Sequence, residues 1–168
     1  DGLPATAVGT ALALADKLDT IVGICAIGQK PSGTKDPFGL RRLALGVLRI
    51  VLEQRLELDL AALVARALGL ASADIASVAA GRPGSGQTPV AAAGGPAVAA
   101  EVYDYVFERL RAYYLEGGTG ITTEMFDAVL DRRPTSPLDF DARLRALGAF
   151  LRLPDAAALT GANKRIAN

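Results

Sequence analysis

Apolar residues recur at helical spacing along almost the whole chain, and no alternating run is long enough to make a useful strand. From Pro4 to Ile27 the pattern predicts a first helix, with Val8, Leu14, Leu18, Ile21 and Cys25 on one face and Leu12, Ala15, Asp19 and Val22 on another. It is apolar over more than half of its circumference. Pro31 and Gly33 mark Gly28 to Lys35 as a loop. Asp36-Pro37 then reads as a helix start, because a carboxylate caps free amide donors and proline fits the first turn. The helix predicted from Pro37 to about Arg55 is apolar nearly all round. Arg42, Gly46, Arg49 and Glu53 form its one narrow polar stripe, so it is expected to be the most buried long helix, with Leu43, Leu45, Val47, Leu48, Ile50 and Val51 inside.

Further on, Asp59 is expected to cap a short helix to about Gly69, and Ser72 another to Ala79. Gly81 to Pro96 is low-complexity and without periodicity, which predicts an irregular, mobile linker or insertion. Ala97 to Glu116 is a long helix ended by Gly117-Gly118, and Thr122 or Thr123 starts a short one to about Arg132. Ser136-Pro137-Leu138-Asp139 is similar to a capping box with Asp in the Glu position. It opens a helix carrying Phe140, Leu144, Leu147 and Leu151, and Pro154-Asp155 opens the last one. The fold class expected is an all-α helical bundle in three parts: helical residues 1–80, a linker over 81–96, and helical residues 97–168.

Composition supports helices and narrows the chemistry. In 168 residues, apolar types make up 51% and aromatics only 5%, so the core must be mostly Leu, Ala, Val and Ile. Lys plus Arg and Asp plus Glu both number 18, so any nucleic-acid contact must come from a local basic patch. There is no His, which excludes an imidazole base or a His-bound metal within these residues. The lone Cys25 excludes a disulfide and suits a reducing cytoplasm. The longest apolar stretch, Leu43 to Leu52, is too short for a bilayer and contains Arg49. Asp1 in place of Met is what a piece of a longer protein would show.

Several constellations admit both a structural and a functional reading. Asp16 and Asp19 share a helix face, which suits either a divalent cation or ion pairing of Asp16 with Lys17, Arg41 or Arg42; two carboxylates are too few for a tight metal site. Gly28 to Lys35 has glycine, hydroxyl and lysine but not the order of a P-loop, and no strand precedes it. Lys30, Lys35 and the amides at the Asp36 helix start are a candidate contact for one phosphate. Arg41, Arg42, Arg49 and Arg55 suit phosphate, or pairing with Glu53. Tyr103, Phe107 and Tyr114 lie on one helical face, with Tyr105 and Tyr113 nearby. They suit core packing, or base stacking beside Arg109 and Arg111. Arg132-Arg133 at a helix end, and Lys164-Arg165, are basic spots that suit helix capping or RNA.

Three blocks carry a family resemblance: Ala15-Asp16-Lys17-Leu18-Asp19-Thr20 leading through Ile27-Gly28-Gln29-Lys30-Pro31 into Lys35-Asp36-Pro37-Phe38-Gly39-Leu40-Arg41-Arg42; Arg132-Arg133-Pro134-Thr135-Ser136-Pro137-Leu138-Asp139-Phe140; and Ala162-Asn163-Lys164-Arg165-Ile166. In this order they resemble the C-terminal half of the β subunit of the bacterial two-subunit glycyl-tRNA synthetase. The resemblance implies the end of an HD-like helical domain followed by helices leading into the anticodon-binding region. Ala15-Asp16-Lys17-Leu18 is similar to the last motif of HD phosphohydrolases, although the His ligands of such a site are missing here. It also implies an α2β2 ligase that joins glycine to its tRNA in the cytoplasm. ATP and Mg²⁺ would be used in the α subunit, while the β subunit contacts tRNA. No catalytic, cofactor or metal residue is then expected in this chain. Its candidates for tRNA contact are Lys30, Lys35, Arg41, Arg132, Arg133, Lys164 and Arg165. The rival readings are a remnant HD phosphohydrolase and a scaffold that holds the α subunit without touching RNA.

Overall fold

Capping chemistry sets the ends of the helices. The computed structural model describes residues 2–31, 35–80, 90–117 and 119–167, with side chains for all of these except 74–80, 90–94, 164, 166 and 167. Thr6 opens α1 (Ala7–Ala26) by accepting from the Gly9 amide at 3.0 Å. At the other end Gly28 takes φ +78°, so that its amide reaches the Cys25 carbonyl and the Gln29 amide reaches that of Ile24. This left-handed closure satisfies two orphan carbonyls and turns the chain away.

Asp36 caps α2 (Leu40–Glu53) from four residues upstream, its carboxylate accepting from the Leu40 and Arg41 amides at 2.8 and 2.9 Å. Gly39, at φ +65°, makes the turn between them. α2 ends by the same left-handed closure as α1, but with Arg55 at φ +53° where α1 has a glycine. α2 buries Leu40, Ala44, Val47, Leu48, Ile50 and Val51. Of the positions expected inside, Leu43 is only partly buried and Leu45 is 37% exposed, because α2 meets neighbours on most of its circumference but not on all of it.

The two short helices expected after Asp59 are one. α3 runs unbroken from Leu60 to Ala80, through Gly69, and the Asp59 side chain caps it at the Ala62 amide. A lone glycine costs a helix only about 1 kcal/mol relative to Ala, and packing of α3 on α1 and α4 outweighs that. α4 (Val90–Leu115) also starts earlier than its sequence suggests. Residues 90–96, expected to be irregular, are helical, with Pro96 inside the helix; 81–89 lie outside the described residues. Thr122 caps α5 (Thr123–Leu130) at the Met125 amide. Ser136 precedes α6 (Pro137–Leu151) without a side-chain cap bond, so the expected capping box does not form, and Asp139 instead receives Arg143 at 2.9 Å. α7 (Ala156–Ala167) packs on α6.

α4 is the shaft of this arrangement and touches α1, α2, α3 and α5. Its Val102, Val106, Phe107 and Leu110 are fully or almost fully buried. Toward its C-terminal half the few aromatics gather around Phe140 of α6. The Phe140 ring lies 5.7 Å from Phe107, 5.0 Å from Phe126 and 6.2 Å from Tyr114, while Tyr103 stacks on Phe107 at 4.3 Å. Tyr103, Phe107 and Tyr114 are thus core residues, and the Tyr103 hydroxyl donates to the Pro134 carbonyl at 2.7 Å. Every described element is helical, as the apolar spacing predicts, and among the described residues no helix is long and apolar enough to cross a membrane.

Candidate nucleic-acid interface

α2 and α4 lie side by side and leave an open groove of about 910 Å³ between them. Arg41 and Arg42 enter it from the first turn of α2, Arg109, Arg111 and Tyr113 from α4. Against its four arginines stand Glu108 and Glu116, so the lining is net basic although the chain is neutral. The four are not equivalent. Arg111 is fixed by Glu108 at 2.6 Å and Asp127 at 2.8 Å, with its guanidinium 4.7 Å from the centre of the Phe126 ring. Arg109 lies over Tyr105 at 5.1 Å, and both the Arg109 Nε and the Tyr105 hydroxyl are shut off from solvent without a hydrogen-bond partner. Burial pushes the Tyr105 hydroxyl pKa up, against the opposing pull of the Arg109 charge. Arg42 is exposed and has no carboxylate partner among the described residues; Glu53, one of its candidate partners, pairs with Arg49 at 2.8 Å.

The predicted contact residues fall around this groove and away from it. Arg41 lines it, half-buried. Lys30 pairs with Glu101, and Arg133 pairs with Asp104 at 2.9 Å while covering the Tyr103 ring at 4.7 Å. Glu101 and Asp104 are one turn apart on α4, so Lys30 and Arg133 are drawn to the same stretch of that helix, and each is neutralised there. Lys35 and Arg132 are exposed in the loops before α2 and α6, and Arg165 is exposed on α7; the Lys164 side chain lies outside the described residues. The amides proposed as a phosphate site at the start of α2 already hold Asp36. Burial pushes that carboxyl up, but the Arg41 and Leu40 amides and the Arg41 charge together keep it below its ordinary value, so a carboxylate occupies the place an anion would take. Asp16 and Asp19 are exposed on α1, and among the described residues no three His, Cys, Asp or Glu side chains stand close enough to hold a metal ion.

Arg42 and Arg109 are the residues whose setting sequence reasoning missed. The sequence offered Arg42 for phosphate or an ion pair, and set Arg109 beside aromatics suited to core packing or base stacking, with nothing to link the two. Only the adjacency of α2 and α4 brings these two residues, 67 positions apart in sequence, to one groove.

Comparison with known sequences identifies the setting. The family model described as glycyl-tRNA synthetase beta subunit matches residues 1–131. The chain belongs to that family. A glycine–tRNA ligase beta subunit of Hahella chejuensis is 48% identical over all 168 residues, which is 100% of this chain and 21% of the relative. The same subunit of Ectopseudomonas mendocina is 46% identical, and that of Pseudomonas aeruginosa 47%, each over 99% of this chain and 21% of the relative. The chain therefore spans about a fifth of the length of these relatives.

Proposed function

We propose that the chain is a non-catalytic helical segment of the β subunit of glycine–tRNA ligase, and that it helps to hold tRNA while glycine is attached. The observation that carries this is the family match over residues 1–131, with 46–48% identity to beta subunits along the whole chain. On this reading the α subunit is the partner, in an α2β2 assembly, and ATP and Mg²⁺ act there. The chain's own chemistry is consistent with a supporting role: it has no His, and Asp16 and Asp19 are solvated. Phosphate contact falls to exposed cations that no carboxylate neutralises among the described residues, Lys35, Arg132 and Arg165 from the predicted set. Lys30 and Arg133 are less available, being tied to α4.

A scaffold role toward the α subunit has one observation in its favour: Val8 and Leu12, one turn apart on the outer face of α1, are 79% and 69% exposed. The two readings separate in one experiment. The full-length chain is combined with the α subunit, and both tRNA glycylation and tRNA binding are measured across a salt series. About three engaged phosphates give a log–log slope of roughly −2 to −3, and Arg132→Glu weakens binding while circular dichroism stays unchanged. Salt-insensitive binding, or none, together with loss of glycylation on Val8→Asp, would replace the tRNA reading with the scaffold.

A further inference from the structure

We propose that the α2–α4 groove seats the sugar–phosphate backbone of an unpaired stretch of RNA, with Arg42 and Arg109 as its phosphate-binding groups and Tyr113 as the surface on which a base stacks. This rests on the tRNA-contacting reading and adds a place of contact to it. The groove is open and, at about 910 Å³, suits a strand segment more than a single small ion. It also continues across α2. A neighbouring hollow of about 340 Å³ shares Arg42 and Leu45 with it and adds Lys17 and Arg49, so a basic surface runs from α4 over α2 to α1.

Within that surface the side chains sort by what already holds them. Arg111 is committed to Glu108 and Asp127, and Arg49 to Glu53. Arg42 and Arg109 line the groove without a carboxylate partner among the described residues, Arg109 lying over the face of Tyr105. Phosphate oxygens match the planar fork of a guanidinium. Tyr113 is 42% exposed in the same groove and is held edge-on against Tyr114 at 5.1 Å, which fixes its ring while leaving part of it to solvent. A base stacks on such a ring whatever its identity, and only an unpaired base has a free face. An acidic peptide would use the arginines but has no equivalent for the ring.

The test uses the full-length chain with glycine tRNA and a fluorescein-labelled oligouridylate as probes, by anisotropy across a salt series. For Arg42→Gln with Arg109→Gln, the salt slope falls by about 1.4 and affinity near physiological salt drops about tenfold, the release of about 0.7 counterions per lost contact on a single strand. Tyr113→Ala weakens oligouridylate binding about fivefold or more and leaves the slope unchanged, because stacking releases no counterions. Arg42→Gln alone, at an exposed position, carries the electrostatic arm if the double variant does not fold by circular dichroism, with a slope change of about 0.7. Wild-type affinity and slope in these variants would overturn the groove and leave tRNA contact elsewhere on the chain. A wild-type chain that binds neither RNA would overturn the tRNA reading with it. An oligoglutamate that binds as tightly as the oligouridylate, and loses as much with Arg42→Gln, would assign the groove to an acidic protein partner instead.

Discussion

Tyr114→Phe removes a single oxygen from the joint between α4 and α6, and its cost follows from what that oxygen touches. Tyr114 is 4% exposed, and its hydroxyl donates to Asp141 Oδ1 at 2.6 Å. Asp141 is itself buried; its other oxygen accepts from Arg145 Nε at 2.7 Å, but the Arg145 side chain lies mostly in solvent. In the variant the ring keeps its place beside Tyr113 and Phe140, so no cavity opens. The loss is one charge-assisted hydrogen bond to a buried carboxylate, about 1.5–3 kcal/mol. At about 2–4 °C per kcal/mol for a chain of this size, the melting temperature should fall by about 3–12 °C. Urea unfolding followed by helical circular dichroism should show a lower midpoint at unchanged slope. Burial first, and Asp141 second, raise the Tyr114 pKa above its ordinary value near 10.0. The folded state thus holds a proton that the unfolded chain releases at about pH 10, so this stability is whole below pH 10 and is lost as pH rises above it. The gap between wild type and Tyr114→Phe should narrow in the same direction. A variant within about 0.5 kcal/mol of wild type at neutral pH would refute the reasoning. So would a double-mutant cycle with Asp141→Ala that gives no coupling.

Three further outcomes are expected. Phe140→Ala, at the centre of the aromatic cluster and 0% exposed, should cost about 3–5 kcal/mol in denaturant unfolding, since it removes the ring that Phe107, Phe126 and Tyr114 share. The Tyr103 pKa is pushed up to about 12, by burial against the pull of Arg133. Wild type should therefore lose stability between about pH 10 and 12, and Tyr103→Phe should show a flatter alkaline profile in thermal melts. Arg55→Gly should raise stability by up to about 1 kcal/mol, because glycine adopts the left-handed conformation that Arg55 is forced into at the end of α2; lower stability would show that the Arg55 side chain makes up for that strain.

Wherever a local rule acted alone, the sequence was a sound guide. Asp59 and Thr122 cap the helices their positions announce, Asp36 caps α2 although the helix starts at Leu40 and not at Pro37, and Val47, Leu48, Ile50 and Val51 are inside as their spacing requires. Misreadings arose where packing overrode a local signal. Gly69 looked like a stop, yet α3 runs through it between α1 and α4. Pro96 looked like the last residue of a linker, yet lies inside α4, and Ser136 sits at the right position for a cap bond it does not make. The candidate site was legible only as a supply of arginines. Arg49 pairs with Glu53 as their spacing allows, but Lys30 and Arg133 are neutralised by partners distant in sequence, Glu101 and Asp104, and no spacing rule reaches that far.

Because α4 covers α1, α2 and α3, the chain's first three helices are completed before the surface that shields them exists. Synthesis of residues 80–115 takes about 2–7 s at about 5–20 residues per second. Throughout that interval α1 can pack on α2 and α3, but the apolar faces awaiting α4 stand open on the nascent chain. That is the window in which chaperones bind and proteases cut. Lengthening it with slowly read codons should lower the yield of folded chain without altering a single residue. The tempo of translation across residues 80–115 is thus under the same physical constraint as the core itself.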